Sequence, residues 1–234
     1  MSAIVKICGV RTPDDITVAA GAGASHVGFV FYPKSPRYIE VDKAVAAISD
    51  SGAAVKKVAL VVAPDEALID IIADSGAFDA VQFHGNETPD ALARFKARLT
   101  GKIEIWRAVG MASPQDVAGV QRFVDVADML LFDAKPPDGA SRPGGLGAAF
   151  DWSFLAGYDG AAPWLLAGGL TPQTVSAAVA RVKALTGFRG VDVSSGVERS
   201  AGVKDKALVA QFCAEACAAL GMAAGKDGVS CRNR

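Results

Sequence analysis

The apolar positions of this chain switch between two periods, and they do so repeatedly. Runs of β-branched and apolar residues read as strands: "AIVKIC" (3–8), "HVGFVF" (26–31), "VKKVALVV" (55–62), "DAVQFH" (79–84), "IEIWRAV" (103–109), "ADMLLFDA" (127–134), "PWLLAGG" (163–169) and "GVDVSS" (190–195). Between them the apolar spacing becomes three and four, the period of an amphipathic helix, as in "VDKAVAAISDSG", "APDEALIDIIADSG", "TPDALARFKARLTG" and "KDKALVAQFCAEACAALG". Several helical stretches open on Thr-, Ser- or Ala-Pro with an acidic or amide residue soon after. That is the punctuation of an N-cap followed by proline in the first turn. "SPQDVAGVQRFV", "FDWSFLAGY" and "TPQTVSAAVARVKALTG" complete the helical set.

Near-continuous apolar strands alternating with helices predict a parallel sheet covered by helices. Eight such units predict an α/β fold, a single-domain (β/α)8 TIM barrel over residues 1–221. The stretch 222–234 is Gly-rich and polar and is expected to be a flexible tail. A doubly wound open sheet is the rival, but strand one is not followed by G-x-G-x-x-G.

Composition narrows the partners. The chain has 234 residues, 51% hydrophobic and 21% charged, enough for a sizeable core. Its net charge of −1, without a long run of one sign, argues against nucleic acid as the main partner. Apolar runs such as "VALVVA" are far shorter than the roughly 20 residues of a spanning helix, so no membrane role is expected. The N-terminus enters strand-like sequence without the pattern of a secretory leader, and a cytoplasmic location is expected. The four cysteines, Cys8, Cys213, Cys217 and Cys231, form no C-x-x-C and suggest no disulfide framework. Cys213 and Cys217 share a helical face and read as packing residues, and neither a metal nor a cofactor is expected.

In a barrel of this kind the site lies where the strands end, at their C-terminal edge. Strand one ends in Cys8-Gly9, strand four in His84-Gly85, strand five near Arg107, strand six in Asp133, strand seven in Gly168-Gly169 and strand eight in Ser194-Ser195-Gly196. Glycines after strands seven and eight are where such barrels commonly bind phosphate through backbone N–H groups. Cys8 alone reads as a small core residue, a disulfide half, a metal ligand or a reactive thiol. Asp133 reads as a turn cap or a carboxylic acid at the mouth. Together they suit acid–base isomerisation of a phosphosugar, in which one group takes a carbon-bound proton and the other protonates a ring oxygen. Arg37, in the Pro-bracketed loop "KSPRYI", suits a carboxylate. His84 fits a ligand contact, a proton relay or a supporting group, the last being favoured. His26 opens a strand and is assigned to the opposite, stabilising face.

These residues sit in collinear motifs: "KICG", "GFVFYPKSPRYI", "VQFHGNE", "LFDAKP", "GGLGAAFDW", "LAGGLTPQTV" and "GVDVSSGVE…GVKD". From about residue 4 to about residue 220 they resemble the phosphoribosylanthranilate isomerases of tryptophan biosynthesis. The resemblance implies an Amadori rearrangement without cofactor or metal, acting on a small phosphoribosyl substrate. With no extra apolar stripe for a partner, a monomer or homodimer is expected. It implies Cys8 as general base and Asp133 as general acid. Arg37 would hold the anthranilate carboxylate, and Gly168, Gly169, Ser195 and Gly196 the phosphate, with His84 among the substrate-binding residues. One motif departs from the family pattern, since Leu146 stands where a Thr or Ser is usual. That leaves the backbone N–H groups of Gly145 and Gly147 as the contacts expected there, on a loop over 135–147 expected to act as a lid.

Two rivals remain in view. The related isomerase of histidine biosynthesis resembles a two-fold repeat and carries an aspartate where this chain has Cys8. A silent phosphoribosyl-binding protein would tolerate loss of Cys8 or Asp133, and both are present. The open question is what makes a thiolate of Cys8: loop dipoles, the cationic intermediate, Lys6, or Asp192, the last acting in the wrong direction.

Overall fold

In the computed structural model, residues 3–99, 103–135, 150–158, 162–224 and 231–232 are described. Eight parallel strands close into one barrel in sequence order: β1 (Ile4–Cys8), β2 (His26–Val30), β3 (Lys56–Val61), β4 (Ala80–Phe83), β5 (Glu104–Met111), β6 (Met129–Ala134), β7 (Trp164–Leu166) and β8 (Phe188–Val193). Closure comes from the β1–β8 pair, in which Lys6 is opposite Asp192. Each strand overlaps the run that predicts it.

The two faces of each strand have different neighbours, as a side-chain period of two requires. Outward residues such as Val5, Ile7, Phe29, Phe83 and Phe132 pack under the helices in the main apolar core. Inward residues Val58, Ala80, Trp106, Ala108, Met129, Leu131, Leu165 and Ala167 fill the lower barrel. A small cluster of Cys8, Val30 and Leu60 lies toward the mouth. Polar side chains interrupt this interior: Lys6 and Gln82 are fully buried and Asp192 is nearly so.

Seven α-helices cover the barrel among the described residues: α1 (Pro13–Gly21), α2 (Val41–Ser51), α3 (Glu66–Asp74), α4 (Pro89–Arg98), α5 (Pro114–Gly119), α6 (Val175–Val182) and α7 (Lys206–Leu220). The X-Pro signal locates the caps of α1, α4 and α5, at Thr12, Thr88 and Ser113. It misplaces two others. The cap of α3 is Asp65, whose carboxylate accepts from Leu68 N, because an alanine before the proline has no acceptor to offer. Helix α6 starts only after Thr174: the Thr174 hydroxyl accepts from Thr171 N at 2.9 Å, holding 171–174 as a separate turn. "FDWSFLAGY" forms a 3₁₀ turn over Trp152–Gly157, and α5 continues as another over Val120–Phe123.

A short antiparallel ribbon, β9 (Glu198–Ser200) with β10 (Val203–Lys204), follows β8 at the mouth. Within the expected tail, β11 (Ala223–Ala224) pairs with β12 (Cys231–Arg232), while 225–230 and 233–234 lie outside the described residues. No helix among the described residues is long and apolar enough to cross a membrane.

Candidate active site

Cys8 is the last residue of β1 and is 4% exposed. It shares the inward face with Lys6 two residues earlier. Lys6 Nζ donates to Asp192 Oδ1 at 2.7 Å, across the closing strand pair. Burial works against charge on Lys6, but Asp192 and then Cys8 outweigh it, and its pKa stays above the ordinary lysine value. For Cys8, burial dominates and pushes the thiol up. Lys6 and Lys204 pull it down, and Asp192 adds to burial. The cysteine of strand one therefore sits in a site that opposes ionisation by its dryness and favours it by two ammonium groups.

Arg37 is held by its own loop and by the ribbon. The turn "YPKSPRY" closes through Ser35 N to Tyr32 O and Tyr38 N to Ser35 O, and Arg37 N donates to Ser35 Oγ at 3.1 Å. Its guanidinium donates through Nε and Nη2 to the two Glu198 oxygens at 2.7 and 2.8 Å, a bidentate pair with both side chains about 95% buried. Glu198 also accepts from Lys204 Nζ at 2.9 Å and from Gly202 N. Burial would raise the Glu198 carboxyl, but Arg37 and Lys204 hold it below its ordinary value. Lys204 donates in turn to Ser194 O, and Ser194 Oγ donates to Cys8 O at 3.0 Å. One polar chain thus runs from Arg37 to the backbone of Cys8.

On the other wall, Asp133 ends the inward face of β6 above Met129 and Leu131. Its Oδ1 accepts from Ala134 N at 2.8 Å, and its Oδ2 lies 3.3 Å from His84 Nε2. His84 Nδ1 lies 3.3 Å from Gln82 Nε2. The fully buried Gln82 has no partner for Oε1 among the described residues. Gly168 (φ +80°) and Gly169 (φ +64°) follow β7, and a Cβ on Gly168 would overlap Ala134 N and touch Asp133 Oδ1. The N–H groups of Gly168 and Gly169 donate to no described residue. Ser195 and Gly196 form the single 3₁₀ turn after β8, where a Cβ on Gly196 would overlap the Leu170 carbonyl. The two glycine loops are therefore packed against each other.

The sequence-predicted residues Cys8, Arg37, His84, Asp133, Gly168, Gly169, Ser195 and Gly196 all lie at the C-terminal ends of the strands or in the loops that follow. Gly145, Gly147, Leu146 and positions 136–147 of the expected lid lie outside the described residues. Arg107 is not at the mouth. It points outward, donates to Glu87 at 2.5 Å and to Gly85 O, and covers the Phe123 ring. His26 lies at the opposite end, its ring 5.4 Å from that of Trp106, as expected. Cys213 is buried, free and packed in the core, as expected, but Cys217 is disulfide-bonded, which corrects its reading as a simple packing residue. The partner sulfur is not among the described side chains. A four-residue spacing reports a shared helix face and does not show whether either sulfur is bonded. No cluster of His, Cys, Asp and Glu fit to hold a metal occurs among the described residues.

Sequence reasoning misses Glu198, Lys204 and Gln82, although Glu198 and Lys204 lie inside the quoted "GVE…GVKD". The available signal is a pair of opposite charges flanking a glycine turn just past a barrel strand.

The family model described as N-(5'-phosphoribosyl)anthranilate (PRA) isomerase matches residues 5–215. The chain belongs to this family. An N-(5'-phosphoribosyl)anthranilate isomerase of Paracoccus denitrificans is 48% identical over 218 residues, covering 93% of this chain and 99% of that one. The crystal structure of phosphoribosyl anthranilate isomerase from Thermotoga maritima superimposes with a TM-score of 0.78 at 33% identity, covering 92% and 98% of the two chains. A phosphoribosyl anthranilate isomerase in complex with reduced 1-(o-carboxyphenylamino)-1-deoxyribulose 5-phosphate gives 0.74 at 29% identity, over 92% and 98%.

Proposed function

We propose that this chain converts N-(5'-phosphoribosyl)anthranilate to 1-(2-carboxyphenylamino)-1-deoxyribulose 5-phosphate in tryptophan biosynthesis, with Cys8 as general base and Asp133 as general acid. The observation that carries this reading is the placement of both groups on inward strand faces at the same end of the barrel, on β1 and β6. Asp133 protonates the furanose oxygen, the C1–O bond opens, and an iminium forms. The cation acidifies the C2–H bond. Cys8 takes that proton, leaving an enolamine that tautomerises to the ketone. Each proton transfer contributes about 10²–10⁴-fold. His84, 3.3 Å from Asp133, is placed to exchange a proton with it.

The substrate is anionic at both ends, and the site offers a group for each. Arg37, braced by Glu198, meets the anthranilate carboxylate. Gly168, Gly169, Ser195 and Gly196 present backbone N–H groups to the phosphate. Binding at the two ends fixes C1 and C2 between acid and base. The test is turnover of N-(5'-phosphoribosyl)anthranilate by purified protein, followed by product chromatography. Formation of the deoxyribulose phosphate is expected, and soluble, folded protein without turnover overturns the assignment.

A further inference from the structure

Lys6 is a fully buried ammonium in a barrel interior filled mostly by apolar side chains. Such a charge costs several kcal/mol to desolvate, and a buried ion pair is commonly no more stabilising than a well-packed apolar pair. Stability therefore gives no reason for the Lys6–Asp192 pair to occupy this layer. Its surroundings offer another. An ammonium has three N–H donors. Asp192 Oδ1 takes one at 2.7 Å, and Cys8 follows Lys6 on the same inward face of β1. Strand β2 leaves room for this. Gly28 is the register partner of Cys8, and a Cβ built on it would lie 3.0 Å from Cys8 Sγ and 3.2 Å from Lys6 Cε. Sulfur and lysine stem converge on the one spot where β2 has no side chain.

We propose that Lys6 is a positioning residue of the reaction: anchored on Asp192, its ammonium is the counter-charge against which the Cys8 sulfur becomes a thiolate. The proposal rests on the reading of Cys8 as the base. In the resting site the proton is on sulfur, since burial dominates there. When the thiol ionises, its proton leaves to solvent at the barrel mouth and Lys6 turns a donor to the sulfur without leaving Asp192, so no charge has to move through the dry barrel. The charged groups acting on the sulfur are Lys6 from its own strand, Asp192 from β8 and Lys204 from β10. Lys204 is already engaged by Glu198 and the Ser194 carbonyl, which leaves Lys6 as the donor beneath the sulfur.

The test titrates Cys8 in the absence of substrate, by the ultraviolet thiolate absorbance that each protein shows over its Cys8→Ala counterpart. Lys6→Met is expected to move the titration up by about one pH unit or more, and to lower kcat about 10–100-fold with KM little changed. Lys6→Met/Asp192→Asn removes both charges and keeps the volume, so it covers the case in which the single variant does not fold. Its titration is also expected above that of the parent protein. Folded variants that titrate like the parent overturn the proposal, because a lysine that merely fills space would leave the thiol where it was. If the titration moves but Cys8→Ala still turns over, the base assignment fails and the electrostatic one stands.

Discussion

The two walls of the barrel mouth are built from different chemistry. The wall of β1, β8 and the β9–β10 ribbon is ionic: Lys6, Asp192, Arg37, Glu198 and Lys204 lie within it, and all are largely buried. The wall of β4 and β6 is a chain of uncharged or singly charged groups, Gln82, His84 and Asp133, spaced at 3.3 Å. The difference matches the roles proposed for Cys8 and Asp133. A thiol in a dry site needs cations close by before it can become a base. An acid that must hold and release one proton needs a partner that can share it. The ionic wall also locks its parts together, since Glu198 ties Arg37 to the loop whose serine holds the Cys8 carbonyl.

Removing Cys8 from one wall and Asp133 from the other, the groups proposed to react, gives the largest expected effect. Cys8→Ala and Asp133→Asn are each expected to lower kcat by about 10²–10⁴-fold or more, with binding of the product analogue retained by calorimetry. Retained turnover in either would empty that wall of its role. A milder cut separates binding from chemistry. Glu198→Gln weakens the brace on Arg37 and is expected to raise KM about 10-fold or more, the scale of one charge-assisted hydrogen bond, with kcat less affected. A change in kcat alone would mean that the ribbon serves Cys8 and not the carboxylate site. Smaller still, Gly28→Ala crowds sulfur and lysine stem by a few tenths of an ångström. It is expected to lower kcat about 10-fold in a protein whose circular dichroism is unchanged.

The smallest effect lies away from both walls, and it sharpens the contrast. Burial, then Lys6 and Lys56, lower the pKa of His26 from 6.5 to about 4. A base held neutral by the fold stabilises it above pH 6.5 and loses that contribution as pH falls toward 4, where the folded protein must also take up the proton. Melting temperature should therefore fall through this window by more in the parent than in His26→Asn, while kcat at neutral pH stays the same.

Much of this architecture is legible in the chain itself. Strand positions, parallel topology and the strand ends carrying Cys8, Asp133, Gly168 and Gly196 follow from the alternation of two periods, because burial imposes those periods directly on sequence. Helix starts are legible where a hydroxyl precedes proline, as at Thr12, and illegible where the capping group lies one residue after it, as at Asp65. What the ionic wall does is not legible. Lys6 and Asp192 are 186 residues apart, and Arg37 and Glu198 are 161 apart. Apart from Arg37, each is, in its own segment, an ordinary charged residue that solvent would normally claim.

Local period and the punctuation of each unit fix the barrel, the strand ends that form its mouth, and the residue types offered there. Which charges lose water together depends on chain closure, and no single segment specifies it. Closing β1 against β8 seals Lys6 and Asp192 beneath Cys8, and folding the ribbon back brings Glu198 onto Arg37. A charge acquires a partner only when the chain has closed around it, and the same closure removes the solvent that would otherwise have made that partner unnecessary.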